Sequence, residues 1–328
     1  MTNARAHDDS RDKVPGVSAA GPLRSLLFVP GDSERKQARA LTTPADALIL
    51  DLEDSVDVAQ LPAARARVRE LLRSHPDRSR QQLWVRVNAL LSGKLPDDLV
   101  AIFGELPASP GAAPDGLVLP KISSVAEIED VAQQLAALET RGGLRAGSTR
   151  LIVIATETAQ GLLALPDYPA QVSAMQSVAR RLAGLTWGAE DLSAALGAHK
   201  HDAAGSLTFT FQMARSSCLL AAAALGVQAI DGAHVEFRDI EGLQRELQSA
   251  RRDGFSGKLA IHPDQVGPIN AAFMPTQAET ARARRIVAAF AARPGVGVVS
   301  LDGQMIDRPH LVHAQRVLDS IDRKEGSS

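Results

Sequence analysis

The chain has one cysteine, Cys218, among 328 residues. A single thiol excludes an intrachain disulfide and a cysteine-rich zinc site, and it fits a reducing compartment such as the cytoplasm. Aromatic residues make up only 3 % of the chain, so no base-stacking platform for nucleic acid is expected. The core must then be packed from Ala, Leu and Val. Neither sign of charge dominates: 36 Lys and Arg against 38 Asp and Glu leave a net charge of -2, with no long like-charged run to hold a polyanion. No uninterrupted apolar stretch approaches the roughly 18 residues of a membrane span, so no membrane association is expected. The N-terminus is polar and lacks the apolar stretch of a secretory signal, while Asp8, Asp9 and Asp12 argue against a transit peptide. Residues 1–22 read as a disordered tail.

What is present is an apolar content of 45 % and a length that suits one large α/β barrel with an extension. Eight short apolar runs recur: SLLFV (25–29), ALIL (47–50), LWVRV (83–87), GLVL (116–119), LIVIA (151–155), LAGLTW (182–187), VQAI (227–230) and KLAI (258–261). Most are continuous rather than alternating, as in parallel strands covered on both faces. Helical patterns lie between them, over 57–73, 123–138, 207–225 and 240–252, with Ser123–Ser124 offering an N-cap. Repeated strand–helix alternation predicts a (β/α)8 TIM barrel over residues 23–272. The alternative, an open doubly wound sheet, normally shows a G-x-G-x-x-G turn after its first strand, and FVPGDSER lacks it. Residues 273–328 form a C-terminal helical cap or arm, with helices over 276–292 and 309–323 flanking an RPGVG turn and an extended VVSLDGQMID segment.

Acidic residues gather where strands end: Asp51, Glu53 and Asp54 after ALIL, Glu157 after LIVIAT, and Glu190–Asp191 after LAGLTWGA. Carboxylates beside buried strands are costly. Barrel active sites collect at the carboxyl ends of the strands, which adds Gly31, Asp32, Arg35, Arg86, Asn88, Lys121, Asp231, His262 and Asp264 as candidates. Glu157 and Asp191 follow neighbouring strands. Two carboxylates without His or Cys partners suit Mg²⁺ or Mn²⁺, and the simpler alternative is a set of capping or ion-paired loop acids. Arg86, inside an apolar strand, needs an anion: a substrate carboxylate, a structural acid such as Glu53, or both. Lys121 is read either as a Schiff-base amine or as an ion pair with the acidic ring. His199 and His201 flank Lys200 in a solvated loop, and Cys218 sits in an apolar helix as core.

Several segments together resemble the citrate lyase β-subunit-like (CitE-like) enzymes of the HpcH/HpaI aldolase superfamily. They are RSLLFVPG (24–31), ALILDLEDSV (47–56), RVN (86–88), LPK (119–121), ETAQG (157–161), WGAEDL (187–192), FQMARSS (211–217) with Arg215, GFSGKLAIHPDQ (254–265) and LDGQMIDRPHLVHAQRVL (301–318). The resemblance implies a Mg²⁺-dependent carbon–carbon lyase acting on a 3-hydroxyacyl thioester of the citryl, malyl or citramalyl type. Its products are an acyl thioester, on CoA or a carrier protein, and a 2-oxo acid such as oxaloacetate or pyruvate. It also implies that Glu157 and Asp191 hold the metal and that Arg86 clamps the oxo-acid carboxylate. Arg24, Lys121 and Glu53 then contribute to substrate binding and charge balance. Asp307 resembles an acid/base that related malyl-CoA lyases supply from a neighbouring subunit, so a homo-oligomer, trimer or hexamer, is expected. Asp302 competes for that role, its simpler reading being a turn residue before Gly303. Two other functions stay open: a CoA-independent 2-oxo-acid aldolase of the same superfamily, and a non-catalytic scaffold that binds a metal or thioester.

Overall fold

A computed structural model describes residues 23–75, 77–104 and 112–325 of the chain; the tail expected over 1–22 lies outside the described residues. Eight parallel strands pair in sequence order and close on themselves. They are β1 (Ser25–Pro30), β2 (Ala47–Asp51), β3 (Gln82–Arg86), β4 (Gly116–Leu119), β5 (Arg150–Ile154), β6 (Leu182–Thr186), β7 (Gln228–Asp231) and β8 (Gly257–Ala260). Each coincides with a predicted run to within about a residue, because every run is apolar on both faces. Leu26, Ile49, Trp84, Val118, Ile152, Ile230 and Leu259 pack together inside the barrel. The alternate residues, among them Leu27, Leu48, Val85, Leu117 and Val153, join the larger core under the helices. Trp84 is accommodated because Gly116 faces it on the next strand: a Cβ there would lie 2.2 Å from the indole.

The helices around the barrel are α1 (Glu34–Leu41), α2 (Leu61–Ser74), α3 (Leu95–Phe103), α4 (Val125–Arg141), α5 (Ala159–Ala164), α6 (Tyr168–Ala174), α7 (Gln176–Ala179), α8 (Ala189–Leu196), α9 (Phe209–Leu225), α10 (Ile240–Asp253) and α11 (Pro263–Ala272). The helix expected from 57 opens as a 3₁₀ turn over Val58–Gln60 and becomes α2 at Leu61, with a proline in its first turn. Ser124 caps α4 as its sequence predicts, accepting from the Glu127 amide. The second strand–helix half is more broken than the sequence pattern indicated, with three short helices between β5 and β6 and two helices between β6 and β7.

Beyond α11 comes a separate small core. α12 (Gln277–Ala291), the antiparallel hairpin β9 (Val298–Leu301) and β10 (Gln304–Asp307), and α13 (Arg308–Glu325) bury Ala283, Ile286, Phe290, Val299, Ile306 and Ala314 together. Asp302 and Gly303 form the hairpin turn, both at positive φ (52° and 74°), the signature of a two-residue Asp-Gly connection. Among the described residues no helix is long and apolar enough to cross a membrane.

Candidate active site

Asp51 closes β2 and Arg86 closes β3, and the two are register partners. Their parity matches Ile49 and Trp84, which point into the barrel, so both side chains project into its mouth. Arg86 donates from Nε and Nη2 to the two Asp51 oxygens, each at 2.7 Å. Asp51 also accepts from the amides of Glu53 and Ser55. The Arg86 guanidinium lies 4.8 Å from the centre of the Phe28 ring. Burial opposes its charge, but Asp51, Glu53 and Asp54 outweigh it and raise its pKa. Burial likewise opposes the Asp51 charge, and Arg86 more than offsets it, leaving the carboxyl below its ordinary range. Arg86 Nη1 approaches Glu53 Oε2 to 3.1 Å without the alignment of a hydrogen bond, so this buried oxygen has no donor. Burial consequently outweighs Arg86 and Lys121 at Glu53 and pushes its pKa up.

Lys121 follows β4 in a left-handed conformation, φ 53°, which is costly for a residue with a Cβ. The turn lets one residue serve several acids. Its amide donates to Glu157 Oε2 at 2.5 Å. Its ammonium pairs with Glu53 and lies 3.1 Å from Asp54 and 3.3 Å from Asp191. Burial disfavours the charge, yet Glu53 and the other acids outweigh it and raise the pKa. An imine-forming lysine needs the opposite shift, so the surroundings favour the ion-pair reading of Lys121 over the Schiff-base one.

Glu157 stands after β5 and is buried. Burial pushes its carboxyl up to about 8, with Asp191 and Glu53 adding to the rise against the Lys121 amide. Asp191 faces it from the first turn of α8. Gly188 makes the approach possible: a Cβ there would lie 2.6 Å from Glu157 Cγ. The sequence reading overlooked this glycine, although its place two residues before the Glu190–Asp191 pair was a visible signal. Two oxygen donors, one of them deeply buried and short of positive charge, fit a hard divalent cation. Among the described residues no group of three or more His, Cys, Asp or Glu forms a metal cage, and Mg²⁺ needs only one or two protein carboxylates. A cavity of about 1570 Å³ opens over the pair, lined by Asp51, Arg86, Glu157 and Asp191 and reaching Arg35, Lys200 and Arg245 at its edges. It exceeds the roughly 300–1,000 Å³ of ordinary small-molecule pockets.

Other candidates fall elsewhere. Arg24 precedes β1 and so sits at the amino end of the barrel, where Nε and Nη2 grip Asp46 at 2.9 and 2.7 Å. All strands point one way, so this is the end opposite the mouth, and the expected substrate contact is not formed there. Asp231 has outward parity, since Ile230 fills the interior. It accepts from Trp187 Nε1, Arg215 Nε and Lys258 Nζ at 2.8, 2.9 and 3.0 Å. Lys258 also reaches Glu246, which pairs with His234. This network, which the sequence reading missed, ties the barrel to α9 and α10. Lys258 within an otherwise apolar run was the available clue. Asn88 donates to the Leu52 carbonyl and to Asp98. His262 caps α11 and stacks on Phe237 at 4.7 Å. Glu190 pairs with Lys200. Cys218 is buried, which pushes its thiol pKa up. Asp307 ends β10 on the arm, half-exposed and bonded to His310, and is not among the residues that line the mouth.

A closed eight-stranded α/β barrel that gathers carboxylates and a part-buried arginine at its mouth has the architecture of a barrel enzyme. The profile of the HpcH/HpaI aldolase/citrate lyase family matches residues 24–263. The chain belongs to that family. It is 35 % identical over 303 residues to a citrate lyase subunit beta-like protein of Mycobacterium tuberculosis, covering 92 % of this chain and 96 % of the relative. It is 35 % identical over 302 residues to a (3S)-malyl-CoA thioesterase of Cereibacter sphaeroides, covering 91 % and 94 %. The crystal structure of CitE from Mycobacterium tuberculosis, in complex with magnesium, acetoacetate and coenzyme A, superposes with a TM-score of 0.70 at 33 % identity, covering 92 % of this chain and 98 % of that one.

Proposed function

We propose that this protein is a Mg²⁺-dependent lyase that cleaves a 3-hydroxyacyl thioester of coenzyme A into an acyl thioester and a 2-oxo acid. The observation that carries the reading is the pair of carboxylates, buried Glu157 and part-exposed Asp191, that share one large cavity with Arg86, in a family with a member crystallised with magnesium and coenzyme A.

Glu157 and Asp191 would hold the ion, which when bound supplies a Lewis acid for the oxygens of the oxo acid; Mn²⁺ suits the same donors. Arg86 is already fixed by Asp51 and Phe28, so its remaining N–H groups orient a carboxylate without a search of rotamers. Lys121 and Glu53 set the charge balance of the mouth and contact the substrate. The alcohol gives up its proton to solvent, its O–H electron pair becomes the second bond of the oxo-acid carbonyl, and the bond between the carbinol carbon and the thioester α-carbon breaks. The electron pair stays on the thioester as its enolate, and a carboxylic acid protonates the α-carbon. Asp307 is that acid. Because it stands on the arm, away from the mouth of its own chain, it acts from a neighbouring copy. The working form is thus a homo-oligomer, a trimer or hexamer, in the cytoplasm.

Turnover of malyl-, citramalyl- and citryl-CoA with Mg²⁺ and with chelator tests the proposal. The expected result is cation-dependent release of oxo acid and acyl-CoA from at least one of them. Cleavage of free 2-oxo-acid aldols without affinity for CoA supports the plain aldolase instead, and binding without turnover supports a scaffold.

A further inference from the structure

We propose that His310 is the positioning residue that orients the Asp307 carboxylate for proton transfer at the thioester α-carbon. The inference rests on the reading of Asp307 given above. Asp307 is the last residue of β10 and α13 begins at the next residue, so His310 stands one helical turn on and faces back. Its Nδ1 meets Asp307 Oδ1. The Asp307 amide also lies 3.4 Å from the same Nδ1. One ring nitrogen cannot donate to the carboxylate and accept from the amide together. A ring that carries a proton on Nδ1 therefore selects the carboxylate, which the His310 backbone amide also approaches.

The groups around the pair do not compete for it. Glu279 and Arg282 of α12 line the same hollow as His310 and His313. Glu279 is engaged by Thr276 and Arg251, and Arg282 by Gln304. Asp302, at the far end of the hairpin, is held by Arg285. Arg308 follows Asp307 in the chain. The His310 hydrogen bond is the largest influence on Asp307 and holds its carboxyl below the ordinary range. A helix cap would account for the contact alone. It would not account for an effect on catalysis at constant stability.

The test is exchange of the α-protons of acetyl- or propionyl-CoA into D₂O at saturating Mg²⁺, followed against pH. The carboxylate takes a proton from the α-carbon, the pair rests on the enolate, and a deuteron returns by the same path. For His310→Ala the expected result is a rate about tenfold lower at neutral pH, an acid limb displaced to higher pH, and an unchanged KM for the acyl-CoA. His310→Asn places an amide nitrogen near the Nδ1 position and should recover most of the rate. Wild-type rate and profile in His310→Ala, with exchange abolished in Asp307→Asn, would overturn the proposal while leaving Asp307 in place. Normal exchange in Asp307→Asn would remove the reading of Asp307 itself. A lowered unfolding midpoint with unchanged exchange in both His310 variants would leave His310 a cap and refute the positioning role.

Discussion

Gly188→Ala is the smallest change that addresses the proposed metal ligands Glu157 and Asp191. The backbone tolerates it, since Gly188 has φ -114°, open to any L-residue. The space does not. The new methyl would sit 2.6 Å from Glu157 Cγ and 3.3 Å from its Cδ and Oε1. Carbon atoms rest at about 3.5–4 Å, so the Glu157 side chain must retreat by about 1 Å. That distance matters little to the fold and much to a metal ligand. Displaced ligands and their supports typically cost about 10- to 100-fold in metal affinity, which is the expected loss here. Titration calorimetry with Mg²⁺ reads it directly, without substrate. Gly267→Ala is the matched control, because a Cβ there meets nothing within 4 Å and the residue lies inside α11. It should leave Mg²⁺ affinity unchanged. Equal Mg²⁺ affinity in Gly188→Ala and wild type would refute the assignment of Glu157 as a ligand.

Five further outcomes are expected. Arg86→Lys keeps the charge but loses the fork on buried Asp51, so kcat/KM should fall by roughly 10- to 100-fold and the unfolding midpoint should fall as well; a kcat/KM loss under threefold would argue against the clamp. Metal-free Glu157 titrates near 8, so Mg²⁺ binding below that pH must expel a proton. Affinity should rise up to about tenfold per pH unit between pH 6 and 8 and then level off, and calorimetry in buffers of different ionisation enthalpy counts the proton. The same raised carboxyl favours the folded apo-protein at low pH. That contribution is lost as pH climbs from the ordinary carboxylate range through about 8, so apo stability should fall across this window and Mg²⁺ should restore it. Lys258→Met removes the buried cation that Asp231 and Glu246 share, leaving Asp231 to Arg215 and Glu246 to His234, and should cost about 1–3 kcal/mol in denaturant unfolding. Arg24→Ala should cost stability alone, with KM for the CoA ester unchanged; a raised KM would return Arg24 to the substrate site.

The barrel was legible because each strand is apolar on both faces, so a continuous run marks it without ambiguity. The same property hid which way a terminal residue points. Asp51 and Asp231 each end a strand, yet one faces the mouth and the other the helices, and only strand register separates them. Arg24 belongs to a motif that adjoins β1 at its amino end, so a place in the motif does not by itself give a place in the mouth. The Glu157–Asp191 pair was readable since each follows its own strand closely. The support that brings them together was not, because Gly188 acts through the absence of an atom and Lys121 through a left-handed backbone. Asp302 and Asp307 differ by five positions, and the hairpin gives them different surroundings: a tight turn for one, a strand end beside His310 for the other.

The central claim is carbon–carbon cleavage, and its competitor within the same family is thioester hydrolysis, the activity in the name of the Cereibacter sphaeroides relative. Both consume a malyl-type CoA ester, but they break different bonds. The decisive measurement is a mass balance on the purified protein with Mg²⁺, counting 2-oxo acid, acyl-CoA and free CoA thiol in the same reaction. The account predicts equal amounts of oxo acid and acyl-CoA, no free thiol above background, and no products with chelator. Free thiol matched by intact hydroxy acid, with no oxo acid formed, would contradict it.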